Sequence, residues 1–248
     1  MKILVCISHV PDTTSKINFS EENTKFDTNG VQFVINPLDE FALTRAMWFK
    51  EKQGASVTVI SVGSAVTEPT LRKALAIGAD EAIRIDIVPE DGYQVAMQLA
   101  EVVKNEAIDL VLAGKESLDY NGGMVPGMLA EILGYNFVNG CISLEIEGDS
   151  CTVSREIDGG KEVLNCTLPL IIGGQKGLVE EKDLRIPNMR GIMMARKKPL
   201  KVVSPVEFNA TSSTVKYEKP EAKGACKMVD SGNLDELIQL LHNEAKVI

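Results

Sequence analysis

Histidine is nearly absent from this chain, which carries two, His9 and His242. So few make a His-containing metal cluster or a Ser-His-Asp arrangement hard to assemble. Neither a metal site nor a catalytic side chain is expected. The five cysteines, Cys6, Cys141, Cys151, Cys166 and Cys226, are odd in number, scattered and never spaced C-x-x-C. That pattern argues against a disulfide framework and against structural zinc. Three of them lie in apolar runs and read as small core residues, which fits a reducing compartment. No apolar run approaches the ~20 residues of a membrane span, so no transmembrane segment is expected. Nor is a signal peptide or mitochondrial presequence visible, because Lys2-Ile3-Leu4-Val5-Cys6-Ile7 begins like a buried strand. A bacterial cytoplasmic location is the expectation. A basic excess is missing too: the net charge of −9 disfavours nucleic-acid binding, which relies on clustered Lys and Arg. Neither G-x-G-x-x-G after a strand nor G-x-x-x-x-G-K-[ST] occurs, so both common nucleotide fingerprints are excluded.

What remains is an ordinary globular balance, 44% hydrophobic and 25% charged over 248 residues. That is enough for one large α/β domain, with or without an appendage. Buried strands are predicted at 2–7, 57–62, 82–85 and 110–113, each short and bounded by Gly or polar residues. Helices are predicted between them. Asn36-Pro37 supplies a cap and a first-turn proline before 38–53, Asp39 favours the dipole, and Gly54 closes the end. Residues 69–77, 93–105 and 122–133 follow, the first stopped by Gly78 and the last by Gly134. Such alternation predicts a doubly wound, mostly parallel sheet. Over 138–167 the pattern changes to short runs joined by Gly-Asp and Asp-Gly-Gly turns, which read as antiparallel hairpins. A further buried strand is predicted at 168–172, then a polar loop over 175–200 with a short helix. Residues 204–230 look extended and poor in core. The last segment is an amphipathic helix with Leu234, Leu237, Ile238 and Leu241 on one face and Asn233 and Glu236 as a capping pair. The expected division is an α/β domain over 1–200 and an extended C-terminal arm with its helix over 201–248. Whether that helix packs on another subunit or on its own domain is open.

In open parallel sheets ligands bind beyond the carboxyl ends of the strands. Three loops qualify here: Ser8-His9-Val10-Pro11-Asp12, Gly63-Ser64, and Gly114-Lys115-Glu116-Ser117-Leu118-Asp119-Tyr120-Asn121-Gly122-Gly123. The third is the sharpest candidate. Gly114 would let a ligand lie against the backbone, and Gly122-Gly123 would present amide N–H groups at a helix start, which suits a phosphate. His9 reads either as a ligand contact or as a plain loop residue. Asn36-Pro37-Leu38-Asp39 reads as a helix cap or as part of a site. The run Ile186-Pro187-Asn188-Met189-Arg190-Gly191-Ile192-Met193-Met194-Ala195-Arg196-Lys197-Lys198 has two readings. It is a protein-docking loop rich in adaptable methionine, or a buried short helix with a basic end.

Taken in order, these pieces resemble the β subunit of electron-transfer flavoproteins over nearly the whole chain. The resemblance rests on Cys6-Ile7-Ser8-His9-Val10-Pro11-Asp12, Asn36-Pro37, Ala74-Leu75-Ala76-Ile77-Gly78-Ala79-Asp80, and Leu112-Ala113-Gly114-Lys115 with Asp119. Arg155-Glu156-Ile157-Asp158-Gly159-Gly160 and Ile186-Pro187 through Lys198 complete it. It implies an electron-carrier subunit rather than an enzyme, in a heterodimer whose α subunit holds most of the FAD. Electrons would pass from acyl-CoA and related dehydrogenases to a membrane quinone oxidoreductase. The β subunit would bind AMP through Cys6, Asn36, Pro37, Leu38, Asp39, Val62 and Gly114 to Val125, that is Gly114, Lys115, Glu116, Ser117, Leu118, Asp119, Tyr120, Asn121, Gly122, Gly123, Met124 and Val125. Docking would fall to a loop at about 175–197, with Ile186, Pro187, Arg190, Ile192 and Met193 around Met189 at its tip. Met124 and Val125 stand where the family often has Gln or a hydroxyl residue, so a phosphate would lean on backbone N–H groups. Relatives that bind a second FAD, oxidise NADH and bifurcate electrons differ at Arg155–Gly160. An ATP-using hydrolase or ligase on a similar fold would need a triphosphate loop and metal-binding carboxylates that the sequence lacks.

Overall fold

The computed structural model describes residues 1–222 and 224–248; Lys223, inside the predicted arm, lies outside the described residues. The opening apolar run forms β1 (Lys2–Cys6), whose Ile3, Leu4 and Val5 are all buried. A strand buried on both faces belongs inside a sheet with helices covering each side. The connection after it carries two small pairs: β2 (His9–Pro11) with β5 (Phe33–Ile35), and β3 (Phe19–Ser20) with β4 (Lys25–Phe26). Helix α1 (Pro37–Gln53) follows and ends on Gly54 in the left-handed conformation, as predicted. Next come β6 (Ser56–Val62), α2 (Glu68–Ile77), β7 (Glu81–Ile85), α3 (Gly92–Glu106), β8 (Leu110–Gly114) and α4 (Val125–Leu133).

Among the described residues the sheet has nine strands. β1 lies between β6 and β8, with Ile3 opposite both Val57 and Leu110. From β1 the chain steps outward through β6 to β7, then crosses back to β8 on the other edge of β1. That reversal makes the carboxyl ends of β1 and β8 the topological switch point. Alternate residues sort the two faces. Ile3, Val5, Val57 and Leu112 pack with α1 and α2, whereas Leu4, Ile60, Val111 and Ala113 pack with α3 and α4. The predicted doubly wound arrangement is present.

Beyond α4 the predicted hairpins appear as β9 (Asn136–Glu147), β10 (Ser150–Ile157) and β11 (Gly160–Thr167), paired antiparallel. β9 starts earlier than expected because its first half pairs parallel with β12 (Leu170–Gly174), which in turn flanks β8. The antiparallel wing therefore continues the parallel sheet. Arg45 of α1, buried, donates to the Leu144 carbonyl and pairs with Glu145, tying the wing to the core. A short helix α5 (Met189–Ala195) and β13 (Leu200–Val203), parallel to β7, complete the body.

The terminal helix α6 (Leu234–Gln239) is shorter than its apolar pattern suggests and widens into a π turn over Leu240–Ala245. The predicted capping pair is present, since Asn233 accepts from the Glu236 N–H and donates to its carboxylate. The arm before it is partly bound to its own domain. Gln98 of α3 donates to the Val206 carbonyl and accepts from the Val206 N–H, while Gln94 donates to the carbonyl of Phe208.

Candidate functional site

A cavity of about 570 Å³ opens at the carboxyl ends of β1, β6 and β8. Its size falls within the range of small-ligand sites. Cys6 and Val62 line it from the strand ends, and Gly114, Glu116, Ser117, Asp119, Tyr120, Gly122, Met124 and Val125 line it from the loop between β8 and α4. Asp39 reaches its wall from α1. Asn36, Pro37, Leu38, Lys115, Leu118, Asn121 and Gly123, expected in the same site, are not among the lining residues.

Asn36 has a different task from the one its place suggested. It occupies the helix-cap position, yet its side chain makes no capping bond. Fully buried, it donates to the Glu116 carbonyl at 2.9 Å and accepts from the Leu118 N–H at 3.4 Å. It braces the β8–α4 loop from behind. Asp39 acts beside it, accepting from the N–H groups of Ser8 and Gly114, each at 2.7 Å. One carboxylate thus joins the ends of β1 and β8 across the switch point. Burial pushes the Asp39 carboxyl up to about 6, against the lowering effect of those hydrogen bonds. Burial, with Asp39 adding to it, likewise pushes the Cys6 thiol up to about 12. A thiol held so firmly protonated reacts slowly for as long as it stays buried.

Of the expectations about glycine, one gains a packing reason and one changes. A Cβ at Gly114 would lie 2.6 Å from Asp39 Oδ1 and 2.8 Å from Leu38 Cβ. The space where its side chain would stand is filled by the start of α1, while Gly114 itself lines the cavity. Helix α4 begins at Val125, not at residue 122, because Gly122 exchanges backbone hydrogen bonds with Ser117 in a small bridge. The glycines shape the loop before the helix, and the amides of the first turn belong to Val125 and its neighbours.

No Lys or Arg lines the cavity among the described residues. What it offers an anion is helix N-termini: Gly92 of α3, Val125 of α4, and Ser64 before the 3-10 turn that leads into α2. Unpaired N–H groups and the dipole make such ends hospitable to a phosphate. Val62, Val88, Val95 and Leu99 provide apolar wall. His9 stacks on Phe33 at 4.4 Å, shares a 2.7 Å hydrogen bond with Thr70 and faces the cavity; burial lowers its pKa.

Three contributors lay outside the sequence reading. Buried Arg84 of β7 donates to the Gly63 carbonyl and pairs with Glu68, fixing the turn that carries Ser64. A charged residue inside an apolar strand is a signal for such a task, because its burial requires partners. Asp91 caps α3 through Oδ1, and Ser212, Ser213 and Thr214 of the arm close one side of the cavity. The arm residues have no local pattern that announces them.

Packed against α2, α5 presents Met189 (74% exposed), Ile192 and Met193 to solvent, and Ile186 (84%) is exposed just ahead of it. Pro187 is half-buried and Arg190 exposed. Of the two readings of this run, the apolar side chains are outward and Ala195 is the buried one. Arg72 donates to the carbonyls of Ala195 and Lys198, and Lys198 donates to those of Leu75 and Ala79. The basic end therefore fastens α5 to α2.

Among the described residues no three His, Cys, Asp or Glu side chains stand close enough to hold a metal ion, and no helix is long and apolar enough to cross a membrane. Comparison with known proteins agrees with this architecture. Residues 23–207 match the model of the electron transfer flavoprotein domain. The chain is 34% identical to the electron transfer flavoprotein subunit beta of Bacillus subtilis, with all of both chains covered. It is 34% identical to that of Syntrophomonas wolfei, covering 100% of this chain and 98% of the other. For the Homo sapiens protein of the same name the identity is 33%, over 93% of each. The doubly wound sheet and similarity along the full length lead to one family: the chain belongs to the electron transfer flavoproteins, as a β subunit.

Proposed function

We propose that the chain pairs with an α subunit, holds AMP in the switch-point cavity and presents α5 to electron-donating dehydrogenases. The observation that carries this reading is the cavity itself, of nucleotide size, set at the switch point and ringed by helix N-termini, with no Lys or Arg lining it among the described residues. A base would lie against Val62, Val88 and Val95, and a phosphate would lie toward Gly92, Val125 and the Ser64 turn. Asn36, Asp39 and Arg84 would hold those parts in place. Flavin, when bound in the complex, supplies the one-electron chemistry. This chain would bind, orient and dock, passing electrons from acyl-CoA and related dehydrogenases toward a membrane quinone oxidoreductase.

Denaturing release of cofactors from the co-expressed pair, counted by chromatography, tests the proposal. Equal amounts of FAD and AMP are expected. Two flavins without AMP would install the bifurcating, NADH-oxidising version instead, and a colourless pair would end the reading. ATP turnover by the chain alone would favour a hydrolase or ligase. Docking is tested separately. Met189→Glu should slow reduction by a dehydrogenase by about tenfold or more, as expected of an interface anchor, with flavin content unchanged. Equal loss of both would place Met189 in the fold rather than at the interface.

A further inference from the structure

The cavity has one wall unlike the others. On three sides it is built from strand ends and helix starts of the sheet body. On the fourth it is closed by Ser212, Ser213 and Thr214, which arrive from the C-terminal arm. These residues are exposed, and the arm around them buries little apolar surface. Polar clasps hold it. Upstream, Gln98 and Gln94 bond the backbone of Val206 and Phe208. At the centre, Asp91 Oδ2 accepts from the N–H groups of Thr211 (2.6 Å) and Ser212 (2.9 Å) and from both of their hydroxyls. Downstream, Tyr217 stacks on Phe19, donates its N–H to the Asn23 carbonyl and meets the Tyr120 hydroxyl at 3.1 Å. The span between these anchors crosses the cavity edge.

We propose that residues 209–216 are a removable wall of the cavity: the Asp91 clasp holds them shut, their hydroxyls complete the binding surface, and ligand enters or leaves when the clasp opens. The arm suits this because polar bonds, not a packed core, hold it closed, and segments of that kind open locally far more often than the body unfolds. Asp91 is a positioning residue here, because it grips the strap and does not need to touch the ligand. Its carboxyl is held well below the usual range by the donors around it, burial opposing them, so the clasp stays charged at neutral pH. The proposal deepens the nucleotide reading and rests on it only for the identity of the ligand.

Cys6 makes the opening measurable without any ligand. It lies on the cavity wall, buried and free, whereas Cys226 is exposed and serves as an internal reference. Asp91→Asn should keep the helix cap, because an Asn oxygen can still accept from the Gln94 N–H. Its amide NH₂ would then face the Thr211 and Ser212 donors and break the clasp. In the full-length protein, peptide-resolved alkylation of Cys6 relative to Cys226 should become about tenfold faster, the scale of one charge-assisted hydrogen bond. The double change Thr211→Ala, Ser212→Ala should act in the same direction but less, and it covers the case in which Asp91→Asn folds poorly. Saturating AMP should slow Cys6 alkylation in the unaltered protein. An unchanged Cys6 rate, while hydrogen exchange at Thr211 and Ser212 shows the clasp broken, would overturn the proposal. Faster alkylation in the variants with no protection by AMP would uphold the removable wall and overturn the nucleotide.

Discussion

Burial lifts the Asp39 carboxyl to about 6 while two backbone N–H groups, on Ser8 and Gly114, donate to it. The sign of the pH effect follows. A carboxyl whose folded pKa exceeds its unfolded value of 3.8 binds its proton more tightly when folded. Its contribution is therefore present in acid and is lost as pH rises from about 4 through about 6, on the order of 3 kcal/mol. In Asp39→Asn that loss is absent. The urea-unfolding free energy of the unaltered protein minus that of Asp39→Asn should fall over this window, and a constant difference would contradict it. At Gly114 the added methyl of Gly114→Ala overlaps Asp39 and Leu38. It should cost about 1–3 kcal/mol, read as a lower melting temperature, together with weakened nucleotide retention. Asp39 was legible as a residue of interest in Asn36-Pro37-Leu38-Asp39, but not in its role. Its partners are far away in sequence, and local pattern announces a cap rather than a brace. Arg84 was hidden for the same reason, since its reward is the Gly63 carbonyl on the neighbouring strand end.

The helix α5 shows what an element adds. Its apolar run was legible, but whether it faced in or out was not, because seven residues carry too little periodicity to choose a side. The deciding contact is Gly191, where a Cβ would overlap the Ala76 carbonyl at the end of α2. So close an approach seats α5 against α2, with Met189 and Met193 outward. Gly191→Ala should push α5 off α2, with a loss of about 1–3 kcal/mol in thermal unfolding and slower reduction by a dehydrogenase. Stability lost with the rate intact would separate docking from this seat. The hairpins were easier to read, because Gly148 and Gly159 take positive φ at the turns the sequence marked. The beginning of β9 was missed, since its pairing with β12 is decided across the sheet and not along the strand.

At the scale of the molecule, strand–helix alternation disclosed a doubly wound sheet but not its order. Neighbours in the sheet are fixed by which crossovers bury both faces, a property of the assembled layers. The arm divides into two parts. Its first half is bonded to α3 and to the β3–β4 pair, while Leu234 (63% exposed), Leu237 and Ile238 of α6 remain open to solvent. Deleting 231–248 should therefore shift the melting temperature of the isolated chain by no more than about 2 °C. The same deletion should abolish co-purification of the α subunit; retained pairing would show that α6 does not serve the interface. The walls of the cavity come from residues as distant as Cys6 and Thr214. The floor and the last wall are thus separated by more than two hundred residues of chain. A chain can carry most of the sheet and still have no closed pocket until residues 212–214 reach its edge.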